Sequence, residues 1–164
     1  YRGIRHADCI QTQKLCIKEK EAVYILFLDM YVINYDGNLI DTGGVSAITT
    51  LLSAHLPEGI IGDSGLEWTG KYLTGDDLVN EIPLVLTYGK IDDIIFLDPN
   101  LPEELICEGK ISISVTEKKI TSIQKSGATT FSFDDIKMLG KKSLEISQKL
   151  RKELNLLQYK TSIK

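Results

Sequence analysis

Histidine is nearly absent from this sequence: His6 and His55 are the only two among 164 residues. Neither belongs to a His-Glu-x-x-His pair, and no Gly-x-Ser-x-Gly elbow or triad spacing accompanies them. Zinc-type hydrolysis and serine-type nucleophilic catalysis therefore have no motif to stand on. The three cysteines, Cys9, Cys16 and Cys107, are odd in number, far apart and without a Cys-x-x-Cys pair. Neither a zinc ribbon nor a disulfide framework is suggested, and a reducing compartment is the simpler expectation. There is no P-loop and no Gly-x-Gly-x-x-Gly, so a phosphate-cradling nucleotide site is unsupported. No apolar run approaches the roughly 18 residues of a spanning helix. The longest candidate, residues 23–28, stops at Asp29, and the opening residues lack the pattern of a secretory signal, so neither feature is expected.

What is present is the composition of one globular domain: 43% hydrophobic residues, with 19 basic against 23 acidic side chains. A net charge of −4 argues against coating nucleic acid by charge alone. The charge is unevenly placed, however. Residues 137–164 hold eight basic and two acidic side chains, a net +6 that leaves −10 for the rest. Such asymmetry marks either a polyanion-facing surface or the solvated outer face of a helix.

Residues 14–18 and 22–34 read as two strands joined by Glu19-Lys20-Glu21, the second rich enough in Val, Tyr, Ile and Phe to be buried on both faces. Tyr35-Asp36-Gly37-Asn38 is a turn: Asp36 orders it, while Gly37 and Asn38 accept positive φ. A helix is expected over residues 42–55, capped by Asp41 and ended by Pro57. Gly43-Gly44 lies at its start and suggests close packing on a sheet. Residues 59–75, with several glycines, read as a loop or ragged meander anchored by Trp68. Strands follow at 84–88, 93–97, 110–116 and 120–124, the last two a hairpin across Glu117-Lys118-Lys119. Residues 99–104 look too short for a crossover helix. Ser132 with Asp135 begins a long amphipathic C-terminal helix, whose apolar positions run from Ile136 through Leu139, Ile146 and Leu150 to Leu157. These elements make an α+β domain with a mixed or antiparallel sheet, helices on one side and the long helix last.

The chemistry-bearing candidates are few. Asp98 ends a strand, and Glu103 and Glu104 follow, so the three acids converge near a sheet edge. Such a group suits a magnesium ion or a general acid, and equally a solvated turn. Arg2 and Arg5, at i and i+3 before His6, present two guanidinium forks to adjacent phosphates. Lys125, in Lys125-Ser126-Gly127, stands where backbone N–H groups help to hold an anion. Tyr24, Phe27 and Tyr31 alternate with core positions and read as packed side chains, not a base-stacking platform.

Taken in order, Arg2-Gly3-Ile4-Arg5, Lys14-Leu15-Cys16-Ile17, Asp29, Tyr35-Asp36-Gly37-Asn38-Leu39-Ile40-Asp41, Phe96-Leu97-Asp98-Pro99 with Glu103-Glu104, and Ile123-Gln124-Lys125-Ser126-Gly127 resemble the RNase PH-like exosome ring subunits, closest to the noncatalytic type. The likeness spans essentially the whole chain. It implies the second half of an RNase PH-like domain, a fold of the ribosomal protein S5 domain 2-like kind. Residues 1–164 would then form one such domain lacking most of its N-terminal half. RNA-degrading members attack the 3′ end with inorganic phosphate, using a Gly-Gly-Thr-Arg-Thr type segment and two aspartates six residues apart. This sequence departs at both places. Leu39-Ile40 stands where the phosphate-binding Thr-Arg would be, and Glu104 replaces the second aspartate, with Asp98 matching the first.

The resemblance thus implies a ring-forming, RNA-binding subunit without catalytic activity, in which Asp98 and Glu104 are vestiges. Arg2, Arg5 and Lys125 would be its RNA contacts, and no metal or other cofactor is implied. Its partners would be other RNase PH-like subunits in a hexameric ring, RNA-binding cap subunits and single-stranded RNA, without a membrane. The implied location is the nucleus, nucleolus included, and the cytoplasm. The alternative is an active phosphate-dependent 3′-to-5′ exoribonuclease using Asp98 and Glu104.

Overall fold

The computed structural model describes residue 4 and residues 8–156. A 3₁₀ turn at Thr12–Leu15 leads into β1 (Cys16–Lys18) and β2 (Ala22–Val23), an antiparallel pair joined at Lys20 in the left-handed region (φ 63°). The strand expected over 22–34 stops here: beyond Val23 the chain continues without a strand partner among the described residues. Composition favours a strand, but a strand exists only where its backbone finds a ladder.

Helix α1 (Leu39–Ser53) starts three residues earlier than expected, and its N-cap is Asn38, not Asp41. Asn38 adopts the left-handed conformation (φ 44°), and its side chain accepts from the Asp41 N–H one turn in. The stretch read as a loop is instead a two-stranded hairpin, β3 (Leu56–Gly62) and β4 (Gly65–Leu73), turning at Asp63-Ser64. Its bulge between Pro57 and Gly59 is bridged by Tyr24, whose hydroxyl donates to the Pro57 carbonyl at 2.6 Å and accepts from the Gly59 N–H at 2.8 Å. A single turn, α2 (Gly75–Leu78), follows behind a Thr74–Asp77 capping box.

The main sheet has four antiparallel strands, β5 (Leu84–Ile91), β6 (Ile94–Leu97), β7 (Gly109–Val115) and β8 (Ile120–Gly127), in the order β6-β5-β7-β8. To pass from β6 to β7 the chain must cross over β5. A six-residue helix, α3 (Leu101–Ile106), forms in that connection after all. Asn100 and Glu103 make a reciprocal capping box there, and Pro102 pre-sets the first turn.

The α+β class and the long final helix, α4 (Phe133–Glu153), are as the sequence implies, including the Ser132–Asp135 box. The two long helices divide between the faces of the sheet. Leu86, Tyr88, Ile111, Ile113 and Val115 point to one face and pack with Leu139 of α4. Val85, Thr87, Ser112 and Ser114 point to the other, where Thr87 meets Asp41 at the start of α1. The second apolar cluster joins Ile48, Leu51 and Leu52 of α1 to Leu78, Val79, Ile82 and Leu84, with Cys9 and Leu156 closing it.

Candidate functional site

The turn at 35–38 is built against the crossover connection. A side chain at Gly37 (φ 95°) would meet the Pro99 carbonyl and Asn100 backbone at 2.6 Å, so glycine is required twice over, for conformation and for space. This contact sets Asn38 between two carboxylates. Its Nδ2 donates to Asp98 Oδ1 at 2.6 Å and to Asp41 Oδ2 at 2.9 Å. Asp98 is itself in the left-handed region (φ 59°), and its N–H donates to the Thr87 carbonyl at 2.9 Å.

Asp41 works inward. Its two oxygens accept the Thr87 N–H at 2.8 Å and the Thr87 hydroxyl at 2.6 Å, and that hydroxyl touches Ser112 Oγ at 2.8 Å. Burial pushes the Asp41 carboxyl above its ordinary value, against the pull of Thr87 and Asn38. Asp41 therefore fastens α1 to the sheet and is no free acid. Asp36 is exposed and lines the shallow pocket formed with Asn38, Thr42, Asp98 and Asn100.

Glu104 occupies the first part of α3 and is already engaged. Lys110 on β7 pairs with its Oε1, and the Tyr35 hydroxyl donates to its Oε2 at 2.5 Å. Burial pushes the Glu104 carboxyl up, but these two hydrogen bonds and the Lys110 charge together bring it below the ordinary carboxylate range. Tyr35 is correspondingly raised by the carboxylate it serves. Glu103 is spent on capping α3. The structure thus brings Asp36, Gly37, Asn38, Asp98 and Glu104 around one turn, but hands Asp98 and Glu104 to different partners.

Leu39 and Ile40 lie on the first turn of α1, each about a third exposed, at the mouth of a groove shared with Leu28, Met30, Ala47 and Val85. Lys125 is placed inside β8, paired with Ile111, not after a strand. Its exposed Nζ donates to the Gly127 carbonyl at 2.6 Å. Arg2 and Arg5 lie outside the described residues. Among the described residues no three His, Cys, Asp or Glu side chains stand together as a metal cage. The links from Tyr35 and Lys110 to Glu104 are not legible in the sequence. Their only trace in the sequence is a polar residue at each of two strand or turn edges, which does not specify a partner.

Residues 81–145 match the 3′ exoribonuclease family, domain 2. Among curated proteins, the chain is 36% identical over 93% of its length to the exosome complex component Rrp42 of Thermoplasma acidophilum, covering 55% of that protein. It is 33% identical over 92% of its length to the component of the same name from Pyrococcus abyssi, covering 56%. Among solved structures it superposes on a chain of the Archaeoglobus fulgidus exosome with RNA bound to the active site, with a TM-score of 0.79 and 26% identity, covering 93% of this chain and 57% of that one. An archaeal exosome core gives a TM-score of 0.76 at 24% identity, a likeness of fold. The chain spans somewhat over half the length of the curated relatives that it matches. Over residues 81–145 it resembles domain 2 of the 3′ exoribonuclease family, and its likeness to the exosome components named above runs along nearly its whole length.

Proposed function

We propose that this chain is a noncatalytic, ring-forming and RNA-contacting subunit of an RNA exosome, supporting 3′-to-5′ RNA processing and degradation carried out on a neighbouring subunit. The exosome setting is supported by the names of its relatives. The noncatalytic reading is carried by Glu104. A carboxylate that already accepts from an ammonium on one oxygen and a phenol on the other has its charge compensated and is held in its ionised form, so it is a weaker magnesium ligand and a poor general acid. Leu39 and Ile40 add to this, because neither side chain donates to or neutralises a phosphate.

In this reading Arg2, Arg5 and the exposed Lys125 hold RNA phosphates while the reaction proceeds next door, and each contact contributes about −0.7 to the log–log salt slope. Other RNase PH-like subunits complete a hexameric ring, and RNA-binding cap subunits sit upon it. A nuclear and cytoplasmic location belongs to the same proposal and is tested by imaging the tagged protein in its own cells.

The deciding experiment is a 3′-labelled single-stranded RNA assay with phosphate and Mg²⁺, on the protein alone and mixed with a catalytic-type ring subunit. The expected outcome is no nucleoside diphosphate from the protein alone and release with the partner, reduced when Arg2 and Arg5 become alanine in an intact ring. Release by the protein alone, abolished by Asp98→Asn, would establish instead the phosphorolytic enzyme using Asp98 and Glu104.

A further inference from the structure

The outer side of α4 is a ridge of lysine. Lys137, Lys141, Lys142, Lys149 and Lys152 are all exposed, spread along about 23 Å of helix at ~1.5 Å per residue. Within that span Glu145 is the single exposed acid, so the local charge is opposite in sign to the −4 of the whole chain. Glu145 stands four residues after Lys141, three after Lys142 and four before Lys149, the spacings at which helical ion pairs form. It pairs with none of them, and none of the five lysines has a carboxylate partner among the described residues. A helix face built for solubility alone intersperses the two signs. Here Lys137 with Lys141, and Lys149 with Lys152, set like charges one turn apart, an arrangement that an isolated helix resists.

The chemistry of the ridge selects its partner. Protein interfaces are poor in lysine and centre on buried apolar side chains, whereas between Lys137 and Lys152 the only large apolar side chain exposed is Met138. One turn before Lys137 stands Phe133, an aromatic ring 80% exposed. Cations that follow a backbone and an open ring on which a base stacks are together what a single strand of nucleic acid requires. Lys125 belongs to the same side of the molecule, because it lies opposite Ile111, on the sheet face that packs with Leu139 of α4. We propose that the outer face of α4 is a second track for single-stranded RNA, its lysines holding phosphates and Phe133 stacking on a base. The track rests on the RNA-contacting role proposed above and adds a surface to it.

The test uses the chain assembled with a catalytic-type ring subunit, and a fluorescein-labelled single-stranded RNA followed by anisotropy across a salt series. Lys137→Gln/Lys141→Gln/Lys149→Gln/Lys152→Gln should weaken binding about tenfold or more and flatten the log–log salt slope by about 2, at ~0.7 for each phosphate lost. Phe133→Ala should weaken binding about fivefold or more, the loss of one stacked base, with the slope unchanged. Glutamine forms helix about as well as lysine, so the circular dichroism and the ring, by native mass spectrometry, should stay as in the parent. A comparison set, Lys14→Gln/Lys18→Gln/Lys20→Gln/Lys71→Gln, removes as many exposed lysines elsewhere and should leave the slope unchanged. The proposal is overturned if the α4 variant binds RNA like the parent, if the comparison set flattens the slope equally, or if the α4 variant loses the ring subunit, which would make the ridge a protein contact. The exosome reading has its own readout, phosphate-dependent release that falls with Arg2 and Arg5, so either can fail alone.

Discussion

Arg151 is the bulkiest of the fully buried side chains among the described residues, and its guanidinium meets no carboxylate there at ion-pair distance. It is satisfied by oxygens instead. Nε and Nη2 donate to the Ile82 carbonyl, Nη2 also to the Val115 carbonyl at 2.8 Å, and Nη1 to Ser147 Oγ at 2.9 Å. One side chain thereby ties the end of α4 to the end of β7 and to the segment entering β5. Burial pulls its pKa down, with Glu117 and Glu81 pulling the other way, yet a guanidinium remains charged at neutral pH. Arg151→Met keeps much of the volume but strands two buried carbonyls. It should cost about 2–4 kcal/mol in urea unfolding, with Arg151→Lys recovering part of this.

Asp41 makes a pH-dependent contribution of the opposite kind to the usual carboxylate. Its folded-state pKa is raised, so the native state binds the proton more tightly than the unfolded chain. Its contribution to stability is therefore greatest at acid pH and declines as pH rises from the ordinary value of 3.8 through the raised one. Comparing urea midpoints of the protein and Asp41→Asn across that range, the protein's advantage should grow as pH falls. At neutral pH the variant should still be destabilised, by about 1–2 kcal/mol, since an amide cannot accept both Thr87 hydrogens. A difference that is flat with pH would contradict the burial argument.

At the scale of elements, what the sequence made legible depended on whether the deciding interaction was local. The α4 box, Ser132 with Asp135, and the long 3–4 periodicity lie within one segment, and the helix is where they place it. The start of α1 is ambiguous in sequence by three residues because Asn38 and Asp41 are both capping types. The pair Asn38-x-x-Asp41 is itself the signal that favours the earlier one. The hairpin β3–β4 was hidden by its glycines. Gly59 is small because Leu66 and Trp68 cross it, with a Cβ there lying 2.9 Å from Leu66 Cδ1. Of the site, the turn Asp36-Gly37-Asn38 and the nearness of Asp98 and Glu104 were readable. Their partners were not, because Thr87, Lys110 and Ser112 reach them from strands remote in sequence.

The same hairpin gives a test at this scale. Tyr24 supplies the donor and the acceptor that the bulge at Pro57–Gly59 would otherwise lack. Tyr24→Phe should therefore cost about 1–2 kcal/mol. It should also speed amide exchange in β3 and β4 while leaving β5 and β7 unchanged. Equal acceleration in all four strands would mean that the hairpin opens only with the whole molecule.

The whole molecule is unevenly built. The four-stranded sheet, backed by α4 and pinned through Tyr88 and Ser143 at 3.0 Å, carries one apolar cluster, and α1 with α2 and residues 78–84 carries the other. Ahead of them, residues 25–33 contribute apolar surface without backbone hydrogen bonds among the described residues, and an unpaired segment opens at almost no free-energy cost. Cleavage that follows local opening should therefore begin there. Brief chymotrypsin treatment of the folded chain should cut first after Phe27, Leu28 or Tyr31. Tyr88, 3% exposed in the middle of β5, should be cut only at urea concentrations that unfold the sheet. The nicked chain should stay folded by circular dichroism, because the fragment before the nick remains held through Cys9 in the α1 cluster and the Ile10–Val79 bridge. If the first cut falls inside β5 or β7, or if nicking near residue 30 unfolds the chain, then residues 25–33 are supported by more than Leu26 and the neighbouring Tyr24.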